Sequence, residues 1–405
     1  MSDRTPASAR VRGQLADALI ERIRALGRLR SRRVEEALRA VPRHVFVPDV
    51  ELEVAYARRP VITKRAPDGT ALSSASSPDI VAAMLEQSDV QPGARVLEIG
   101  TATGFNAALL AELAGASGQV TSIEIDHDLA DGARTHLAAA GYPQVEVVCG
   151  DGALGAPQRA PFDRILVTAG AWDIPAAWWD QLAIGGRLVV PLRLHGSGLT
   201  RSLAFERPGP GHMISVSAEV CGFVPMRGLA AAASRTVDLA HGVTLTLDTA
   251  DAPNETALTR ALTSPARERW TGIVIGDRDP VQHLDLWLVT TAPVPFARLS
   301  VSPAAREQGL AATALRWSGA ALYDGGALAY LALRPHPSGG QELGLIAHGP
   351  GADVLAEHTA ALLGEWDTVR PTTPVITIHP ALTPDDQLPA GYRVDRPAGR
   401  FTIAW

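Results

Sequence analysis

The stretch Arg95-Val-Leu-Glu-Ile-Gly-Thr-Ala-Thr-Gly-Phe-Asn-Ala-Ala-Leu-Leu-Ala111 constrains the fold more than any other part of the chain. Val96, Leu97 and Ile99 form a short apolar run of the kind found in a buried parallel strand. Gly100 to Gly104 supplies a tight turn, and Phe105 to Leu113 reads as a helix. A strand, a glycine turn and a helix N-terminus together present unpaired backbone N–H groups and the positive end of a helix dipole. They predict an anion-accepting site at the carboxyl edge of a doubly wound sheet. Glu98, two residues before the first glycine, narrows the ligand. A pyrophosphate gains nothing from a carboxylate there, whereas a molecule carrying an ammonium or sulfonium does.

From Arg95 to Leu194 strand and helix patterns alternate without a break. Val120 to Ile125 is a second strand with Glu124 at its end, and Leu129 to Ala140 a helix. Val145 to Val148 is a third strand, followed by Gly150-Asp-Gly152. Phe162 to Thr168 is a fourth, Ala177 to Leu182 a short helix and Gly186 to Leu192 a fifth strand. Alternation with short connections predicts an α/β, doubly wound sheet covered on both faces. Ahead of it, Val11 to Leu26 reads as a helix, and Ser31 can cap a second one running to about Ala40. Val41-Pro-Arg-His-Val-Phe-Val-Pro48 reads as a loop or edge strand. Arg58 to Gly69 carries mixed charge and turn residues, and Pro78 opens a helix through about Gln87.

With 405 residues the chain exceeds what one core usually supports. The composition changes after about Ala230, and the expected division is residues 1–232 and 233–405, with a boundary near Ala231 to Arg235. Val220 to Met226 is expected to be a further strand of the first part. The second part is expected to be an α+β domain. Its strand candidates are Val243 to Leu247, Ile273 to Ile275, Leu284 to Thr290, Leu328 to Leu333 and Leu343 to Ala347, and its helix candidates Thr256 to Leu262 and Ala352 to Leu363.

Each of three acidic residues following successive strands has a physical task. Glu98 can balance positive charge on the ligand, Glu124 can accept from both hydroxyls of a ribose, and Asp151 can accept from an adenine amine. A dinucleotide-binding fold would also use Glu124, but it requires G-x-G-x-x-G, which the turn at Gly100 does not supply.

The turn resembles the first motif of S-adenosylmethionine-dependent methyltransferases. The resemblance extends to Val41–Pro48, Leu97-Glu-Ile-Gly-Thr101, Gly141-Tyr142, Gly150-Asp-Gly152, Ala160-Pro-Phe-Asp163, Val167-Thr-Ala169, Ile174-Pro175, Gln181-Leu182 and Phe223-Val-Pro-Met226. In this order, over about residues 15 to 230, they are similar to the protein-L-isoaspartate (D-aspartate) O-methyltransferase family. The resemblance implies a Rossmann-like class I methyltransferase domain with an N-terminal helical cover, and S-adenosyl-L-methionine as cofactor, with S-adenosyl-L-homocysteine as product. It implies a peptide or protein acceptor bearing an aspartyl, isoaspartyl or D-aspartyl carboxylate. It places cofactor positions at Glu98, Gly100, Thr101, Thr103, Gly104, Glu124, Asp151 and Gly152. The family's signature serine maps onto Ser76, with Ser77 or Ser74 as helpers; any of the three also suits an N-cap or turn.

Two departures bear on the acceptor. Ala102 replaces a glycine of the loop, and the acceptor segment is the serine-rich Ser73-Ser-Ala-Ser-Ser-Pro78. The extension from Arg235 to Trp405 resembles that of methyltransferases encoded with ribosomally made, modified peptides (RiPPs), including lanthipeptide and graspetide pathways. A dedicated peptide substrate is therefore expected ahead of general repair, the extension capping the active site or gripping a precursor. A non-catalytic peptide-binding protein is the third reading, against which the intact acidic set speaks.

A net charge of −6 argues against a general nucleic-acid binder. The arginine-rich first forty residues suit a solvated helix face or a surface attracting an acidic peptide. Cys149 and Cys221 give no disulfide framework, no signal core precedes the first helix, and a cytoplasmic setting without membrane attachment is expected. His44, His127, His136 and His195 are scattered, so no metal site is expected. Trp172, Trp178 and Trp179 suit either a peptide pocket or loop packing. Asp277-Arg-Asp279 and the histidines of the extension read as loop residues.

Overall fold

A computed structural model describes residues 6–228, 235–248, 253–276, 279–311 and 319–405. The expected boundary at 231–234, together with Asp277 and Arg278, lies outside these residues. The chain divides into two compact units, one from Met1–Leu192, Thr200–Ala232 and Val375–Thr402, the other from Arg193–Leu199, Ala233–Pro374 and Ile403–Trp405.

The first unit begins with helices α1 (Pro6–Ala25) and α2 (Arg32–Ala40). Ser31 caps α2 by accepting from the Val34 N–H at 3.3 Å. The segment expected as a loop or edge strand is instead a helical turn, Arg43–Phe46, leading to the short helix α3 (Leu52–Ala55). The charged segment after Arg58 holds an antiparallel hairpin, β1 (Val61–Arg65) and β2 (Ala71–Ala75). Helix α4 (Pro78–Ser88) has proline in its first turn, where no N–H is missed.

The alternating core follows as β3 (Arg95–Ile99), α5 (Phe105–Ala114), β4 (Gln119–Glu124), α6 (His127–Ala140), β5 (Glu146–Cys149), β6 (Phe162–Val167), α7 (Ala176–Gln181) and β7 (Leu182–Arg193). Parallel pairing joins β5 to β4, β4 to β3, β3 to β6 and β6 to β7. The direction of winding reverses between β3 and β6, which opens a crevice at their carboxyl ends. Val96, Leu97, Leu166, Val167, Leu188 and Val189 are fully buried, as are Ala107 to Leu110 of α5. Burial on both faces is what continuous apolar runs predict, at ~1.5–3 kcal/mol for each large side chain.

Strands β8 (Thr200–Glu206) and β9 (Met213–Val220) extend the sheet. The ladder ends where residues 220–226 were expected to form a strand. There the backbone turns to the loop after β6: the Gly170 N–H donates to the Val224 carbonyl and the Met226 N–H to the Gly170 carbonyl, both at 2.8 Å. Pro225, which lacks an N–H, makes one isolated bridge to Gly170.

The second unit holds β10 (Arg235–Ala240), β11 (Val243–Leu247), α8 (Glu255–Leu262), β12 (Arg267–Ile275), α9 (Leu284–Thr291), β13 (Phe296–Val301), α10 (Pro303–Glu307), β14 (Ala320–Asp324), β15 (Ala327–Pro335), β16 (Gln341–His348) and α11 (Ala352–Val369). Among the described residues its sheet has seven strands, in the order β10-β11-β13-β14-β15-β16-β12. The expected strand at Leu284–Thr290 is the helix α9. Leu286, Trp287, Leu288 and Val289 are buried in succession, a pattern that does not separate a strand from a buried helix.

The expected uninterrupted second domain is also corrected. Strands β17 (Val375–Pro380), β18 (Tyr392–Asp395) and β19 (Gly399–Ala404) belong to the sheet of the first unit, with β17 antiparallel to β9. Val375–Thr402 therefore groups with the first unit. Short strands after the long α11 carry no sequence mark of the sheet they join.

Candidate active site

The turn after β3 is held from two sides. The Gly100 and Thr101 N–H groups donate to the Ile123 carbonyl of β4 at 2.8 and 3.1 Å. The Thr168 hydroxyl donates to the carbonyls of Ile99 (2.9 Å) and Gly100 (2.5 Å). Gly100 has φ +102°, and a Cβ there would stand 2.6 Å from the Thr168 hydroxyl oxygen, so only glycine fits. Gly104 ends the turn at the N-cap of α5.

Over this turn lies a cleft of two lobes. The larger, about 620 Å³ counting its mouth, is walled by Ile99, Ile123, Ile125, Val224 and Met226, with Glu124, Gly152 and Arg227 among its other lining residues. The smaller, about 430 Å³, is lined by Ser74, Ala75, Ser76, Thr101, Thr103, Phe105 and Asn106, among others. Ser74, Gly100, Ala102 and Thr168 border both. Cavities of this size suit a nucleoside-bearing cofactor.

Glu124 lines the larger lobe. One carboxylate oxygen accepts the Ala102 N–H at 2.8 Å and the other the Asp126 N–H at 3.2 Å, which orients the group and leaves lone pairs for hydroxyl donors. Glu98 departs from expectation: it is wholly buried and absent from the lining of both lobes. Its carboxyl accepts from Asn106 Nδ2 at 2.7 Å and from the Ser122 hydroxyl, which is itself bonded to the Thr101 hydroxyl at 2.6 Å. Burial pushes the Glu98 carboxyl up to about 7, against the pull of those two hydrogen bonds and with a further push from Glu124.

Asp151 also differs. It caps the turn Gly152–Leu154 by accepting the Ala153 N–H at 2.9 Å, and it does not line the cleft. Gly152 does line it, and a Cβ there would collide with Ile99 Cγ2 at 2.4 Å. Thr101 and Thr103 border the smaller lobe. The structure separates the three serines. Ser76 and Ser74 line the smaller lobe, whereas the Ser77 hydroxyl donates to the Asp79 carboxylate. Ser77 holds the N-cap position of α4, and a second-residue carboxylate captures its hydroxyl.

Thr168, Ile125, Val224, Met226 and Arg227 border the site without having been singled out as site residues from the sequence. The signal that marked three of them is their place in the stretches Val167-Thr-Ala169 and Phe223-Val-Pro-Met226 that carry the family resemblance. The tryptophans divide: Trp178 is fully buried and its indole N–H donates to the Gly152 carbonyl at 2.9 Å, Trp179 is buried, and neither they nor Trp172 lines either lobe. No group of three or more His, Cys, Asp or Glu able to hold a metal occurs among the described residues. No described helix is long and apolar enough to cross a membrane.

The residues present fit S-adenosyl-L-methionine: apolar walls for a flat base, Glu124 for ribose hydroxyls, and a polar lobe over the turn for an amino-acid end. Joined to this sheet order, they define a class I, S-adenosyl-L-methionine-dependent methyltransferase. The sequence narrows the class further. Residues 14–231 match the family model for protein-L-isoaspartate(D-aspartate) O-methyltransferase. The protein-L-isoaspartate O-methyltransferase of Methanopyrus kandleri is 41% identical over 214 residues, 52% of this chain and 91% of that protein. Protein-L-isoaspartate O-methyltransferase 2 of Archaeoglobus fulgidus is 42% identical over 212 residues, 52% of this chain and 92% of its own. A solved protein-L-isoaspartate O-methyltransferase shares the fold over 89% of this chain and 96% of its own, at 20% identity and TM-score 0.51. The chain belongs to the protein-L-isoaspartate(D-aspartate) O-methyltransferase family.

Proposed function

We propose that the protein transfers a methyl group to the free carboxylate of a damaged protein residue, the α-carboxylate of an isoaspartyl residue or the β-carboxylate of a D-aspartyl residue. The observation that carries this reading is the composition of the cleft. Of the described residues lining its two lobes, Glu124 and Arg227 alone are ionisable. An acceptor that needed deprotonation would require a general base; an aspartyl carboxylate, which ordinarily titrates near ~3.9, arrives ionised.

S-adenosyl-L-methionine, when bound, supplies an electrophilic sulfonium methyl. Glu124 would hold its ribose, Ile99, Ile125 and Met226 its base, and the lining of the smaller lobe at Thr101 and Thr103 its amino-acid end. The work left to the chain is alignment, which can contribute ~7–11 kcal/mol when reacting groups are held in near-attack geometry. The Ser76 hydroxyl, with Ser74 beside it, orients the acceptor oxygen. A hydroxyl steadies a carboxylate without quenching its nucleophilicity as an ammonium would. The methyl ester then carries a better leaving group than the free acid. The following backbone nitrogen closes a succinimide with loss of methanol, and hydrolysis gives aspartate and isoaspartate.

A second reading, modification of a dedicated RiPP precursor of the lanthipeptide or graspetide type, draws on the serine-rich acceptor segment and on the residues beyond 231. The solved family structure that spans 89% of this chain weakens the second of these supports. Mass spectrometry of paired peptides, identical except for aspartyl or isoaspartyl linkage, tests the proposal. A gain of one methyl on the isoaspartyl member alone supports repair-type recognition. Methylation confined to a constrained precursor peptide would favour the second reading, and no transfer to any carboxylate would refute both.

A further inference from the structure

Arg43 lies in the helical turn before α3 and is 2% exposed. Its Nε donates to the Ala55 carbonyl at 2.8 Å, and its Nη2 to the carbonyls of Ser76 (2.8 Å) and Ala75 (3.3 Å). The guanidinium carbon sits 4.8 Å from the centre of the Phe105 ring. Nη1 is buried with no hydrogen-bond partner. Burial lowers the guanidinium to about 10, so it remains a cation at neutral pH.

A buried cation without a bonded carboxylate is costly to keep, and carbonyl dipoles with an aromatic face offset only part of that cost. Three of its four contacts, Ala75, Ser76 and Phe105, line the smaller lobe of the cleft. Holding carbonyls requires donors but no net charge. The charge becomes useful when an anion enters the lobe on the other side of that wall.

We propose that Arg43 is a positioning residue for the methyl acceptor, locking the Ala75–Ser76 backbone so that the Ser76 hydroxyl meets the incoming carboxylate while its charge favours an anion in that lobe. The proposal rests on the acceptor reading given above. Arg43 itself touches neither lobe and acts through Ser76.

The test compares Arg43→Lys, Arg43→Met and Ser76→Ala, and the Arg43→Lys/Ser76→Ala double variant, with an isoaspartyl peptide as acceptor and S-adenosyl-L-homocysteine titrated by calorimetry. Lysine keeps the charge but cannot span three carbonyls. Arg43→Lys is expected to raise the peptide KM about tenfold while changing the homocysteine-product affinity less than about twofold. Adding Arg43→Lys to Ser76→Ala is expected to cost under about threefold, the non-additivity of residues acting through one another. Arg43→Met, if it folds, is expected to raise KM further. Equal losses in both ligands, full additivity, or a lowered Tm with unchanged kinetic constants would overturn the proposal. If the wild type does not turn over the peptide, the acceptor reading fails separately. The Ser76 position in Arg43→Lys crystals then decides: displacement supports the positioning role and an unmoved Ser76 refutes it.

Discussion

The Glu124 carboxylate accepts the Ala102 backbone N–H at 2.8 Å, tying the tip of β4 to the turn after β3. The acid expected to meet a ribose is thus also the acid that holds the turn under the cofactor. Glu124→Gln keeps the shape, removes the charge and weakens hydroxyl capture. Charge-assisted hydrogen bonds are worth ~1.5–3 kcal/mol each, so S-adenosyl-L-homocysteine affinity should fall by about tenfold or more. Isothermal calorimetry checks this.

Ala102 adopts φ +47°, a left-handed conformation that a Cβ disfavours. Its retention follows from the N–H it must aim at Glu124. Ala102→Gly relieves the strain but loosens the unfolded chain. The balance should stabilise the protein by about 0.5–1 kcal/mol, read as a raised denaturation midpoint.

Glu98 predicts a pH dependence of stability. Its folded carboxyl titrates at about 7 against an ordinary value of 4.5. Between those values the folded state holds a proton that the unfolded state releases, so stability falls as pH rises through the window. The ceiling on the loss is about 3 kcal/mol at ~1.4 kcal/mol per unit. Glu98→Gln should flatten this slope in urea titrations across the window from pH 4.5 to about 7 that the shift names. Parallel slopes in the two proteins would contradict the burial argument.

Ser76 and Ser77 are adjacent, yet their hydroxyls have different surroundings. Ser76→Ala should slow methyl transfer about ten- to a hundredfold with product affinity kept, because it removes an interaction with the acceptor alone. Ser77→Ala should instead cost about 1 kcal/mol of stability through its lost bond to Asp79. Steady-state kinetics and chemical denaturation separate the two.

Much of this site was legible because its parts are local. The strand at Val96–Ile99, the turn and α5 lie within twenty residues, and Glu124 marks a strand end by its own charge. What depended on long-range packing was not legible. Whether Glu98 faces ligand or core is set by Asn106 and Ser122, which reach it from a helix and a neighbouring strand. Asp151 suits adenine by position, and the structure adds that one of its carboxylate oxygens accepts the Ala153 N–H of its own turn. The hairpin β1–β2 was hidden by lysine and arginine at exposed positions, and α9 by an unbroken apolar run. That β17 pairs with β9, after more than 150 intervening residues, has no local cause to read.

The most direct measurement is a crystal structure of the protein with S-adenosyl-L-homocysteine and an isoaspartyl peptide together. The account predicts the ribose on Glu124, the base against Ile125 and Met226, and the acceptor carboxylate beside the Ser76 hydroxyl with the homocysteine sulfur facing it. A nucleoside bound elsewhere, or a peptide carboxylate remote from Ser76, would contradict it.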